Sequence, residues 1–182
     1  MKDSGALGYA LLGLLSGHPR SGYELRKIFA STPMGHYSDS PGSIYPALRR
    51  LREKRLIGIV RERHSNPRGR RRFAPTAKGR DALLRWITEP IDRESVTSKM
   101  AEIALRFSMT DFVGDRDAVR KLFAQFEEQL ASYVIRLREI HATLGGPSSG
   151  RLALELGIRL HETYLQWARD ALAQTNSHKE IA

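Results

Sequence analysis

GSIYPALRRLREKRLIGIVRERHSNPRGRRRFAPTAKGR, residues 42–80, is the stretch on which the fold turns. Its first part has helical spacing. With Ile44 as reference and a step of about 100° per residue, Ala47, Leu48 and Leu51 gather on the same side. Ser43, Pro46, Arg49 and Arg50 then face outward, with Tyr45 and Arg52 on the flanks. Ser40 is placed to cap this helix and Pro41 to sit in its first turn, where a missing N–H does no harm. After Leu56 the pattern changes. IGIVRE and RRFA are short, β-favourable runs separated by RHSNPRGR, so they read as a hairpin with a long tip. Pro75 falls where the second strand must end, because it has no N–H to give to a ladder. Thr76 can cap a returning helix that carries Leu83, Leu84, Trp86 and Ile87.

Upstream, residues 6–16 place Leu7, Leu11, Leu14 and Leu15 on one helical face, and SGHPRSG stops that helix. Ser21 can cap a second helix whose apolar positions are Tyr23, Leu25, Ile28 and Phe29; ASTPMGHYSDSPG then forms a polar, turn-rich connection. Three short helices, a hairpin and a returning helix describe a winged helix-turn-helix over residues 1–90. The expected class is mainly α with a small β-hairpin.

Pro90 marks the boundary to a helical region, residues 91–182. Residues 95–108 form one helix with Val96, Met100, Ala104 and Phe107 on one side, and Asp111 and Asp115 to Asp117 mark the next turn and helix start. From there Val119, Phe126, Tyr133 and Ile140 recur at heptad spacing, and Phe123, Leu130, Leu137 and Leu144 repeat it at the complementary offset. GGPSSG ends this seam. A last helix follows with Leu156, Leu160, Tyr164, Trp167 and Ala171 on one stripe. Val119, Phe123, Phe126, Leu130, Tyr133, Leu137 and Ile140 are the candidate coiled-coil dimerisation residues, although periodicity does not say whether the seam's partner is the same chain or another.

Charge narrows the partners. Residues 1–90 hold 18 Lys+Arg against 7 Asp+Glu, a net of +11, whereas residues 91–182 hold 12 against 13. A surplus confined to one half points to a polyanion for that half, with acidic lipid and nucleic acid both fitting. The apolar opening ALGYALLGLLSG is too short to span a bilayer and follows an acid in MKDSG, so it reads as a buried helix of a soluble, cytoplasmic protein. The absence of cysteine excludes disulfides, thiolate zinc sites and cysteine nucleophiles.

The cations concentrate on two elements. Arg49 and Arg50 lie on the outward helix face beside Ser43 and Tyr45, and a major groove admits such a helix, where Arg can bond guanine O6 and N7 together. Arg68, Arg70, Arg71 and Arg72 lie at or beside the hairpin tip with Asn66, Pro67 and Gly69, a composition suited to a narrow minor groove or to phosphates. A solvated basic face is the plain alternative for the helix alone. Like charges crowded at one tip repel, so two such elements together favour an anion.

Other chemistry finds no support. His161-Glu162 lacks the second histidine of a zinc-protease helix, since Leu165 stands four residues on, and His36, His64 and His141 have no partner at ligand spacing. GGPSSG has no phosphate-binding lysine. No enzyme, metal or cofactor is expected. Tyr133, Tyr164 and Trp167 are candidates to line an effector pocket, though aromatics at helical spacing also serve as core.

SGYEL, GSIYPALRRLREKRLI, the basic hairpin and FAPTAKGR resemble the corresponding blocks of the PadR-like family of transcriptional regulators, over roughly residues 7–90. Three positions depart from that pattern: Phe73 replaces a tyrosine, Pro75 a leucine and Ile44 a leucine. The resemblance implies a homodimeric winged-helix repressor, dimerised through C-terminal helices and often released by a small-molecule effector. It places Ser43, Tyr45, Pro46 and Arg49 on a DNA recognition helix, Tyr23 on the preceding helix, and Arg68 and Arg70 on the wing. The expected partner is a pseudo-palindromic double-stranded operator. A non-specific nucleic-acid binder, or a helical adaptor for an acidic partner, remains the alternative.

Overall fold

The computed structural model describes residues 5–37, 42–60 and 71–177. Its elements run α1 (Gly5–Gly17), β1 (Arg20–Ser21), α2 (Gly22–Ser31), α3 (Ile44–Glu53), β2 (Ile57–Val60), β3 (Arg72–Pro75), α4 (Ala77–Ile87), α5 (Arg93–Ser98), α6 (Met100–Phe107), α7 (Arg116–Thr143) and α8 (Ser149–Ser177), with 3-10 turns at Pro33–Tyr37 and Thr110–Phe112. Two compact units emerge: Met1–Ile87 with Leu105–Phe112, and Thr88–Ala104 with Val113–Ala182. Among the described residues, no helix is long and apolar enough to cross a membrane.

In the first unit α1 is central. Ala10, Leu11, Leu12 and Leu15 are buried, whereas Leu7 and Leu14 are only half-buried, so the apolar side is wider than the expected leucine face and centred differently. α3 and α4 pack on it, and the core of the unit takes Ile44, Leu48 and Leu51 of α3, Leu83, Trp86 and Ile87 of α4, and Leu25 and Phe29 of α2, which packs on α3. Tyr9 stacks on Trp86 with ring centroids 4.4 Å apart and planes 4° from parallel. The segment 105–112 belongs here for two reasons. The buried guanidinium of Arg106 donates from Nε and Nη2 to the carbonyl of Ile87 at 3.1 and 3.0 Å, placing a cation at the C-terminus of α4. Met109 packs against Gly13, where any larger residue on α1 would meet its sulfur.

The sheet has three antiparallel strands in the order β1-β3-β2, with Ile57 opposite Pro75, Val60 opposite Arg72, and Ser21 opposite Arg72 on the other edge. The hairpin strands form where their sequence predicts, and Pro75 ends β3. β1 is additional: a two-residue strand has no alternation to read, and it exists because the turn after α1 passes the open edge of β3. Ser43 is the N-cap residue of α3 without a side-chain capping bond, and Ser40 and Pro41 lie outside the described residues.

Two short contacts fasten the hairpin to its neighbours. Thr76 caps α4, its hydroxyl accepting from the Gly79 N–H at 3.1 Å while donating to the Arg55 carbonyl at 2.8 Å. Gly79 lies so near the Leu56 carbonyl that a Cβ there would overlap it. α3 ends in paired bonds from Leu56 N–H to Leu51 O and from Arg55 N–H to Arg52 O, both 2.8 Å, with Arg55 in the left-handed region at φ 57°.

In the second unit, Asp92 caps α5 and Asp115 caps α7. The single helix expected over 95–108 is broken at Lys99, whose φ of −123° and ψ of 28° leave the helical region; α6 follows and ends in the first unit. α8 returns antiparallel along α7, with Arg138 paired to Glu162 at 2.6 Å and Arg169 to Glu127 at 3.0 Å. The heptad seam is therefore largely covered within one chain. Phe123, Phe126, Leu130 and Leu137 are buried, Val119 and Tyr133 half-buried and Ile140 exposed; Leu122 and Val134, off the strict heptad, are buried too. α8 of the same chain thus occupies most of the seam side of α7, the alternative that periodicity had left open.

The last-helix stripe is displaced in the opposite sense. Ile158, Leu165 and Ala168 face inward, whereas Leu152, Leu156, Leu160, Tyr164 and Trp167 are exposed, Leu152 by 68% and Leu156 by 60%.

Candidate nucleic-acid interface

α3 supplies the first part of the site. Burial of Ile44, Ala47, Leu48 and Leu51 fixes the helix rotation, so Tyr45, Pro46, Arg49 and Arg50 are exposed and Ser43 half-buried at its start. Arg49 makes only a loose pairing with Glu53, 3.5 Å between largely exposed groups. Such a pair is worth little and leaves the guanidinium able to change partners.

α2 supplies the second part. Ser21 and Glu24 form a reciprocal capping box: the Glu24 N–H donates to Ser21 Oγ at 3.3 Å, and the Ser21 N–H and hydroxyl donate to Glu24 Oε2 at 2.7 and 2.8 Å. These bonds to Ser21, reinforced by the Arg72 guanidinium, hold the Glu24 carboxyl below the ordinary carboxylate range. Tyr23 is exposed just beyond the cap, with Arg26 above its ring at 5.9 Å.

β3 supplies the third part. Arg71 is exposed, and Arg72 turns back to donate from Nη2 to Glu24 Oε1 at 3.0 Å. Arg68 and Arg70, with the rest of the expected wing tip, lie outside the described residues.

These parts converge. An open cleft of about 560 Å³ is lined by Ser21, Gly22, Tyr23, Tyr45, Leu48, Arg49, Arg52, Arg71 and Phe73. On the other flank of α3 a second cleft of about 630 Å³ is lined by Arg49, Arg52, Glu53, Arg55, Ile57, Gly58, Ile59 and Thr76. Arg52 and Arg55 were not among the expected site residues. Arg52 could have been found from its flanking position on the helical wheel; Arg55 could not, because its direction follows from the left-handed turn that ends α3.

The candidate effector residues are separated along the helical pair. Tyr133 meets the His161 ring edge-on at 4.9 Å and His161 meets Tyr164 at 6.0 Å, whereas Trp167 contacts Phe123 and Phe126. Among the described residues, no group of three or more His, Cys, Asp and Glu side chains is placed to hold a metal ion.

The profile of the transcriptional regulator PadR-like family matches residues 11–85, and that of the virulence activator alpha C-term matches residues 102–176. The transcriptional regulator YqjI of Escherichia coli strain K12 is 37% identical over 92 residues, covering 50% of this chain and 40% of that protein. An uncharacterized protein YqjI of Shigella flexneri gives the same values. The chain thus aligns with less than half the length of these curated relatives. Among solved structures, Bacillus subtilis PadR in complex with operator DNA is 21% identical with a TM-score of 0.41, covering 93% of this chain and 98% of that one. The Vibrio cholerae virulence activator AphA is 22% identical with a TM-score of 0.42, covering 94% and 99%.

Proposed function

We propose that this chain, which carries a domain of the PadR-like family of transcriptional regulators joined to a virulence-activator-type C-terminal region, binds double-stranded DNA sequence-specifically as a homodimer. The observation that carries this reading is the meeting of Tyr45 and Arg49 of α3 with Arg71 beside β3 around one cleft. α3 enters the major groove, where Arg49 bonds a guanine edge; the hairpin tip, with Arg68 and Arg70, reaches the adjacent minor groove or its phosphates. Arg50 and Arg71 add phosphate contacts.

Dimerisation is assigned to the second unit, through the uncovered apolar stripe of α8. A contiguous exposed apolar patch of this kind marks an interaction surface, and fully burying each leucine contributes roughly 1.5–3 kcal/mol. A twofold dimer places its recognition helices about 34 Å apart and calls for a pseudo-palindromic operator. The regulator acts as a repressor, and an effector bound near Tyr133, Tyr164 or Trp167 releases it by favouring one dimer geometry over another.

The test is a titration of a duplex selected by the protein from a randomised pool, against its scrambled counterpart, across a range of salt. Arg49→Ala should cost about 1–3 kcal/mol on the selected duplex and relax specificity, while Arg71→Ala weakens both duplexes alike and reduces the salt slope by about one. Equal affinity of the unmodified protein for both duplexes removes the operator reading and leaves non-specific binding.

A further inference from the structure

The capping block at the start of α2 touches both elements assigned to DNA, and each contact uses a different atom. Gly22 lies under the Tyr45 ring: a Cβ at position 22 would sit 2.7 Å from Tyr45 Cε1 and 3.3 Å from Leu48 Cδ1. Only a residue without a side chain lets the phenol lie there. Glu24 divides its two oxygens, Oε2 accepting from Ser21 and Oε1 accepting from Arg72 Nη2 at 3.0 Å. Ser21 itself is paired with Arg72 across the β1–β3 register, so backbone and side chain bind the same strand to the same helix end.

We propose that Ser21, Gly22 and Glu24 act as a positioning block that sets the recognition helix and the wing relative to each other, Gly22 seating Tyr45 and Glu24 holding Arg72. This rests on the DNA-binding reading above and assigns Arg72 to the inside of the interface instead of to a phosphate. The tilt of the hairpin strand thereby becomes tied to the helix that presents Tyr45, and both elements meet the duplex as one rigid surface.

The sign of one substitution separates this from plain electrostatics. Glu24→Gln removes a negative charge from a cationic face, which by charge alone strengthens DNA binding. A glutamine also preserves the capping box. Under the proposal Glu24→Gln instead weakens binding to the selected duplex, by about fivefold for an ion pair of this exposure. Arg72→Gln weakens it comparably, and the double variant is no weaker than either single one, since both remove the same contact. Gly22→Ala presses hardest on the Tyr45 ring and more gently on Leu48 Cδ1, so it should match Tyr45→Ala in affinity, with no further loss when the two are combined.

Amide exchange in the free protein supplies a readout independent of DNA. In Glu24→Gln and Arg72→Gln the amides of Arg72 and Phe73 should exchange about fivefold faster, while those of the core residues Leu11 and Leu83 stay unchanged. Failure of the unmodified protein to prefer the selected duplex removes the DNA reading alone, and the exchange data then judge the block. Tighter or unchanged DNA binding by Glu24→Gln overturns the proposal. So do additive losses in either double variant, or unaltered exchange at Arg72 and Phe73. If Glu24→Gln speeds exchange throughout the core, Arg72→Gln decides by the same criteria.

Discussion

Arg55 breaks a local rule where the site needs a cation. A non-glycine residue at φ 57° is strained by its Cβ, and the position after α3 is one that glycine ordinarily fills. The side chain placed there lines the second cleft beside Arg49 and Arg52. Arg55→Gly should therefore raise the stability of the fold by about 1 kcal/mol, seen as a higher denaturant midpoint, while lowering affinity for the selected duplex. A loss of stability would show that the guanidinium has a structural role. Glu24 gives a pH dependence of definite sign. Its folded pKa lies below the ordinary 4.5, so its contribution is fully present above that value and is lost as pH falls through the lowered folded value. Unfolding midpoints followed from pH 6 downward should fall less steeply in Glu24→Gln than in the unmodified protein below about pH 4.5; parallel curves would mean that the carboxylate is not linked to folding.

At the scale of elements, the joints are more specific than the elements. The Thr-x-x-Gly spacing of FAPTAKGR has a direct physical meaning: Thr76 caps α4, and Gly79 lets the first turn of that helix reach the Leu56 carbonyl. Gly79→Ala gains helix propensity of about 1 kcal/mol, yet its Cβ would meet backbone that cannot rotate away. A net destabilisation of about 1–3 kcal/mol is expected, measured by chemical unfolding, and a neutral result would require α4 to shift as a body. The hairpin strands, the Ser21 cap and the buried side of α3 were all legible, because each depends on nearest-neighbour chemistry or on a single periodicity. β1 and the break at Lys99 were not. A two-residue strand is made by its partner, and Lys99 interrupts a run whose apolar spacing continues through it.

For the whole molecule, the distribution of apolar residues on α7 and α8 bears on the proposed dimer. A heptad seam can be satisfied from either side of a chain boundary, and here α8 of the same chain covers most of it. On α8, Leu152, Leu156, Leu160, Tyr164 and Trp167 stay exposed, as do Ile135 and Ile140 on α7 and Leu144 just after it. Leu156→Glu with Leu160→Glu should convert the proposed dimer to a monomer in sedimentation without loss of helicity. Affinity for a two-half-site duplex should then fall by at least a hundredfold, as one head must bind alone. A double variant that remains dimeric would move the interface elsewhere. The return of Leu105–Phe112 to the first unit, with Arg106 on the Ile87 carbonyl, could not be read from a chain that otherwise divides near Pro90.

The residues by themselves determined the order of helices and hairpin, the buried side of α3, the Ser21 and Thr76 caps and the concentration of cations on two elements, because periodicity, turn chemistry and charge are local properties. Only the tertiary structure decided that α8 of the same chain covers most of the α7 seam, that Arg72 turns inward to Glu24 while Arg71 stays outside, and that Gly22 underlies Tyr45. Those outcomes depend on which surfaces meet across long separations in the chain. A heptad, an arginine or a glycine carries the same local signal whichever neighbour it acquires.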